Sequence, residues 1–284
     1  MADYQKRNVG MKESQFDMLR RLELDERAHA RLVGHCAQVG IVFLSTPFDE
    51  ESADLLEALG VPAFKMPSGE ITNTPLLRHV GRKNLPVILS TGMSTLPEVA
   101  TAVDAIERVS HAPLALLQCV SNYPADPADV NLRAMQTMKD AFGLCVGYSD
   151  HTVGIEVSLA AVAMGASIIE KHFTLDRSMP GPDHAASAEP LELRSLVSGI
   201  RRIESAMGDG AKQPAASEAN TAQVARRSMV AAHDIPAGAR IDEAMLVARR
   251  PGGGIGPDRA SLLIGRRTRS AIREGEPVRF EMLE

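Results

Sequence analysis

Two consecutive runs decide the fold: Leu144–Cys145–Val146–Gly147–Tyr148–Ser149–Asp150–His151 and Ala166–Ser167–Ile168–Ile169–Glu170–Lys171–His172. Each is an apolar run that closes on a histidine. Between them, Thr152 to Gly165 carries a small-residue helical pattern, VSLAAVAMG. A strand–helix–strand unit of this kind places its two strands parallel in one sheet. Both imidazoles then emerge on the same C-terminal rim. Just beyond comes a rigid acidic turn, Pro180–Gly181–Pro182–Asp183, followed by His184. Two neutral imidazoles on one rim, with carboxylates beside them, suit a divalent cation.

Working outward, helical and strand patterns alternate from residue 12 to about 207. Helices are expected at Glu26–Gln38, Asp49–Leu59, Pro75–Val80, Leu96–Arg108, Asn131–Phe142, Gly154–Met164 and Leu191–Met207. Before the two histidine runs, strands are expected at Ile41–Thr46, Ala63–Met66, Val87–Thr91 and Leu114–Val120. Strands that are apolar on both faces and alternate with helices mean a parallel sheet wrapped by helices. Function in such a fold sits at the C-terminal strand ends. Here those ends carry Ser45–Thr46, Lys65 with Ser68, Ser90–Thr91, Ser121–Asn122, Ser149–Asp150–His151 and Glu170–Lys171–His172. Six polar ends in succession are hard to ascribe to chance. A closed barrel has eight strands and this count gives six; Met1 to Arg21 shows no strand pattern. The fold class expected is α/β: a TIM-type (β/α) barrel over residues 1–207 that lacks its first two strands.

Residues 208–224 have a linker composition of small and polar residues, opening Gly208–Asp209–Gly210–Ala211. A small β-rich module is expected over 225–284. It carries an internal echo, Ile235–Pro236–Ala237–Gly238–Ala239–Arg240–Ile241 against Ile272–Arg273–Glu274–Gly275–Glu276–Pro277–Val278, with a glycine at each tight turn.

The chain has 284 residues, 44% of them hydrophobic, enough for a full core and more than one domain. A net charge of −5 gives no electrostatic footprint for nucleic acid. No apolar stretch is long enough to span a membrane, and the polar start lacks the core of a signal peptide. Cys36, Cys119 and Cys145 have no pairing or metal spacing, which fits a reducing cytoplasm. Cys119 and Cys145 read as buried strand residues. His29, His35, His79, His111 and His233 fall on helical or loop stretches and read as surface, and Arg266–Arg267–Arg269 as a solvated basic face.

Read in order, these motifs resemble the sialic acid synthase family, which makes N-acetylneuraminate, legionaminate and relatives. The resemblance rests on Ala2–Asp3–Tyr4–Gln5–Lys6, Phe43–Leu44–Ser45–Thr46–Pro47–Phe48–Asp49, Phe64–Lys65–Met66–Pro67–Ser68–Gly69–Glu70 and Leu89–Ser90–Thr91–Gly92–Met93. It continues through Gln118–Cys119–Val120–Ser121–Asn122–Tyr123–Pro124, Gly147–Tyr148–Ser149–Asp150–His151–Thr152, Glu170–Lys171–His172–Phe173–Thr174 and Pro180–Gly181–Pro182–Asp183–His184. From Arg226–Arg227–Ser228 onward the module is similar to that family's antifreeze-like SAF (β-clip) domain.

The resemblance implies a transferase that condenses phosphoenolpyruvate with an open-chain N-acylated amino sugar such as N-acetylmannosamine, releasing phosphate. A divalent metal, Mn or Mg, would polarise the sugar aldehyde, with His151 and His172 as its ligands. Lys65 would meet the phosphate or carboxylate, and Thr46, Ser68, Ser90, Ser121, Asn122, Ser149 and Tyr123 would lie around the same substrate. Glu70, Glu170 and Asp183 would orient sugar hydroxyls or move protons. Arg250 would reach the active site of a partner subunit, which implies a domain-swapped homodimer. Family members also begin with a strand bearing a Glu and an Asn–His–Asn–Gly turn, then a strand bearing a Lys and a Gln, and neither is in this sequence. Two further readings stay open: a non-catalytic fragment that binds sugar or associates with a full-length relative, and a different metal-dependent barrel aldolase.

Overall fold

The computed structural model describes residues 14–284, so the Ala2–Lys6 motif lies outside the described residues. The chain divides into two compact units, Met1–Gly208 and Asp209–Glu284.

In the first unit, α1 (Gln15–Leu22), α2 (Glu26–Val39) and α3 (Glu50–Ala58) precede the sheet. The sheet alternates β1 (Phe64–Met66), α4 (Thr74–Arg82), β2 (Val87–Ser90), α5 (Leu96–Glu107), β3 (Leu114–Cys119), α6 (Ala134–Phe142), β4 (Cys145–Asp150), α7 (Glu156–Ala163) and β5 (Ile169–Lys171). The long helix α8 (Pro190–Met207) follows. Five parallel strands lie in the order of the sequence, β1 to β5, so every crossover returns to the neighbouring position. This is the sheet of an incomplete (β/α) barrel.

Local chemistry sets the helix starts. Asp25 accepts from Ala28 N at 2.7 Å, Asp49 accepts from Ser52 N at 2.7 Å, and Glu98 reaches back to Thr95 N at 2.7 Å. The apolar faces meet in one core, where Phe64, Met66, Leu89, Leu116 and Tyr148 from the strands pack against Leu56, Leu77, Ile106 and Met138 from the helices.

Two expectations are corrected. The predicted strand Ile41–Thr46 does not pair: among the described residues no backbone hydrogen bond joins positions 42–47 to β1. Ile41, Val42 and Phe48 are 62%, 69% and 64% exposed. An apolar run becomes a strand only where a ladder and a covering layer receive it, and β1 is the outer strand on this side. Cys145 is exposed, because burial along β4 begins only at Val146; Cys119 is buried as expected.

In the second unit, α9 (Ala219–Ala225) leads into β6 (Ser228–Ala231), which pairs antiparallel with β7 (Leu246–Arg249). The two halves of the sequence echo meet each other: Ile235 and Ile272 exchange both backbone bonds at 2.8 Å. Gly238 and Gly275 turn with φ of 75° and 76°, in the region only glycine enters freely. Ile235, Ile241, Leu263, Ile272 and Val278 form a separate core.

The β4–β5 junction tolerates no side chain at Gly147. A Cβ there would stand 2.4 Å from the Ile168 carbonyl oxygen and 2.7 Å from Leu117 Cδ2. Gly147→Ala is expected to destabilise the first unit by about 1–3 kcal/mol, read as a lower midpoint in thermal or urea unfolding.

Candidate active site

The register of β4 on β5 builds the site. Ser149 stands opposite Glu170 and Asp150 opposite Lys171. Successive strand residues point to opposite faces. One face therefore collects Ser149, His151, Glu170 and His172, and the other collects Asp150 and Lys171.

On the first face three rings come together. The His151 and His172 centroids are 5.2 Å apart, and Tyr123 lies 4.2 Å from His151 and 5.2 Å from His172. His151 is buried, and its Nδ1 lies 2.6 Å from the Val120 carbonyl oxygen. That oxygen can only accept, so Nδ1 carries the hydrogen and Nε2 keeps its lone pair. Burial also pushes the His151 pKa below its ordinary value, with the nearby His172 adding to the effect and the Val120 bond opposing it. The ring is therefore neutral at neutral pH.

Beside the rings, Ser149 Oγ donates to Glu170 Oε1 at 2.6 Å, and Lys65 Nζ lies 3.3 Å from Glu170 Oε2. Lys65 is buried and also donates to the Met66 carbonyl at 3.2 Å. A hydroxyl cluster continues along the rim. Ser68 Oγ accepts from Gly92 N at 2.9 Å and lies 3.1 Å from Cys119 Sγ. A Cβ on Gly92 would meet Ser121 Oγ at 2.4 Å and Ser68 Oγ at 2.9 Å, so these hydroxyls converge on a backbone with no side chain. Ser90 Oγ is buried without a hydrogen-bond partner among the described residues.

Asp183 closes the far side. Its Oδ2 is 3.8 Å from His172 Nδ1, too long for a hydrogen bond, and its Oδ1 is buried with no partner among the described residues. Burial raises its pKa although His172 and His184 pull the other way. Glu70 is turned to Asn73, which donates to it at 2.7 Å. Thr46 lies on the unpaired 41–47 segment. Asn122 donates its backbone N–H to Val120 at 3.0 Å, whereas the Ser121 hydroxyl is the one in the serine cluster. Arg250 is exposed in the second unit.

His151, through Nε2, and His172 are the side chains that could hold a divalent cation here. Two imidazoles bound to one ion hold their centroids about 4.5–5.3 Å apart, for a nitrogen–ion bond of about 2.1 Å. The observed spacing lies in that range, and the partnerless Asp183 oxygen supplies an acidic neighbour. Among the described residues no group of three His, Cys, Asp or Glu side chains could hold a metal ion by itself. An ion held by two histidines would leave its remaining coordination positions to water and substrate. A cavity of about 240 Å³ lies between α5 and α6, and Thr91, Ser94, Gln118 and Arg133 help to line it.

Residues 1–212 match the NeuB family, and residues 226–284 match the SAF domain. The chain belongs to the NeuB family. It is 48% identical to the N,N'-diacetyllegionaminic acid synthase of Campylobacter jejuni, over 98% of this chain and 84% of that one. It is 47% identical to the synthase of the same name from Legionella pneumophila, over 100% of this chain and 81% of that one. The crystal structure of the N-acetylneuraminic acid synthetase of Leptospira borgpetersenii, in complex with citrate, superposes with a TM-score of 0.70 at 38% identity. The match covers 77% of this chain and 76% of that one. The sialic acid synthase family with a C-terminal SAF domain, read from the motifs, is therefore the correct family, and the incomplete barrel followed by a SAF module is the correct fold class. Among the described residues no helix is long and apolar enough to cross a membrane.

Two of the polar strand-end residues, Asp150 and Lys171, lie on the opposite strand face rather than in the site. Asp150 and Lys171 form an ion pair at 2.9 Å whose side chains are 0% and 4% exposed. Burial alone would raise the Asp150 pKa, but bonds from Ser158, Lys171 and Thr152 together hold it below the ordinary range. The available signal was their strand alternation with the histidines, which puts both charges on the buried side.

The depressed His151 pKa sets a sign for pH dependence. In metal-free protein the unfolded chain takes up this proton first, so stability is present above about pH 6.5 and falls as pH drops through the folded pKa. Thermal midpoints of the protein and of His151→Gln, compared from pH 8 to 5, are expected to converge toward the acid end.

Proposed function

We propose that this protein condenses phosphoenolpyruvate with an N-acylated amino sugar to give a nonulosonic acid and inorganic phosphate. The observation that carries the reading is the convergence of His151, His172 and Tyr123 beside the Lys65–Glu170–Ser149 chain on one strand rim. Membership of the NeuB family and near-50% identity to two legionaminic acid synthases support it.

The chemistry needs a bound trianion, an oriented aldehyde and a route for two protons. Lys65, with the hydroxyls of Ser68, Ser90 and Ser121, offers the cation and donors that a phosphate and a carboxylate require. His151 and His172 would hold a divalent ion, Mn or Mg, which supplies Lewis-acid polarisation of the sugar aldehyde. C3 of phosphoenolpyruvate bonds to the aldehyde carbon, and the aldehyde oxygen takes up a proton. Water adds at C2 and gives up a proton, and phosphate departs from the same carbon. Glu170, between Lys65 and the imidazoles, is placed to receive the proton of that water. Asp183 and Glu70 are the carboxylates available to sugar hydroxyls, and Tyr123 covers the imidazole pair. Arg250 of the SAF unit would complete the site of a partner subunit in a domain-swapped homodimer. Three free cysteines suit a cytoplasmic setting for this metabolism.

The test is phosphate release by the 284-residue chain with Mn, phosphoenolpyruvate and either N-acetylmannosamine or a diacetamido sugar. The second sugar is included because the two relatives are named for a doubly N-acetylated product. Release that depends on the sugar and falls more than about 100-fold in His151→Ala is expected. Carbon–carbon bond formation from pyruvate without phosphate release would replace this reading with an aldolase.

A further inference from the structure

The two candidate metal ligands share a support that no side chain of the site itself supplies. Asp150 and Lys171 precede His151 and His172 by one residue each, and they face one another across the β4–β5 ladder. Asp150 Oδ1 accepts from Thr152 N at 2.9 Å, Thr152 Oγ1 at 2.8 Å and Tyr148 OH at 3.3 Å. Its Oδ2 accepts from Ser158 Oγ on α7 at 2.5 Å and from Lys171 Nζ at 2.9 Å. Lys171 Nζ also donates to the Thr152 carbonyl at 2.9 Å. His151 is thus bracketed: the residue before it and the residue after it are tied to one ammonium, and that ammonium belongs to the residue before His172.

We propose that the buried Asp150–Lys171 pair is a positioning element that fixes the separation of His151 and His172 and so sets the affinity of the site for its divalent ion. The proposal rests on the reading of the two histidines as metal ligands. Burial makes the device stiff. Neither charge can find water, so each must keep its partner, and strand pairing plus the ion pair leave the two following residues no freedom to part. A surface pair at the same positions would exchange partners with solvent and hold nothing. Ser158 extends the same carboxylate to α7, so the helix between the histidine strands is locked into the arrangement.

The experiment measures binding of Mn(II) alone to the full chain by electron paramagnetic resonance of the free ion. It compares the unaltered chain, Lys171→Met, Asp150→Asn, Ser158→Ala and His151→Ala at a temperature well below each variant's melting point. Outer-shell partners of metal ligands typically contribute about 10–100-fold in affinity. Lys171→Met and Asp150→Asn are expected to weaken Mn(II) binding in that range, and Ser158→Ala by several-fold. Ser158→Ala keeps the ion pair and decides the matter if the charge variants fail to fold. Folded variants that lose stability but bind Mn(II) as tightly as the unaltered chain would overturn the positioning role and leave the ligand reading intact. No saturable binding by the unaltered chain, or equal binding by His151→Ala, would instead overturn the ligand reading.

Discussion

The register of β4 on β5 is the constraint on which the rest of the site depends. Pairing Ser149 with Glu170 and Asp150 with Lys171 fixes, through strand alternation alone, which four side chains face the reacting side and which two face away. A slip of one residue would exchange the faces, leaving two buried charges among the substrates and two imidazoles against the helices. The close approach at Gly147 and the ion pair both oppose such a slip, one by leaving no room and the other by leaving no water. Catalytic placement and core packing are therefore solved by the same ladder.

Much of this was legible in the sequence, for physical reasons that differ from element to element. The parallel sheet was readable because its strands are buried on both faces and so appear as continuous apolar runs bounded by helical patterns. The polar residue at each strand end was readable because the end of a parallel strand is where solvent meets the sheet. Ile41–Thr46 failed for the same reason that the others succeeded: an apolar run reports a capacity for burial, and the neighbours that realise it lie elsewhere. Cys145 failed at the scale of a single residue, where composition does not reveal that burial starts one position later.

The site was legible as a set of residue types and less so as a set of contacts. His151 and His172 announced themselves by position, and Lys65 and the serines by the motifs around them. What the motifs do not convey is partnership. Ser121 and Asn122 are adjacent and chemically alike, and only the approach of the Gly92 backbone separates their roles. Asp150 and Lys171 read as two charged letters in two separate strings, yet their meaning lies in each other, across 21 residues. In the second unit the converse holds. The two glycine turns were visible as an echo, and the structure shows why an echo exists: the two halves bond to each other through Ile235 and Ile272, so each half meets a near-copy of its own geometry.

The distribution of satisfied and unsatisfied groups across β4 and β5 separates architecture from chemistry. Behind the strands, every polar atom of Asp150 is engaged, and Lys171 reaches both a carboxylate and a carbonyl. In front, among the described residues, Asp183 Oδ1 and Ser90 Oγ are buried without a partner, and His151 is held through Nδ1 while its Nε2 lies 3.4 Å from Ser149 Oγ. A buried group without a partner costs stability, and a fold keeps that cost small by confining it. Here the two partnerless oxygens lie on the reactive rim, among the residues expected to meet substrate, while the closed network lies one residue away on the other face. A rigid, fully bonded back is what allows an incompletely bonded front to hold its shape.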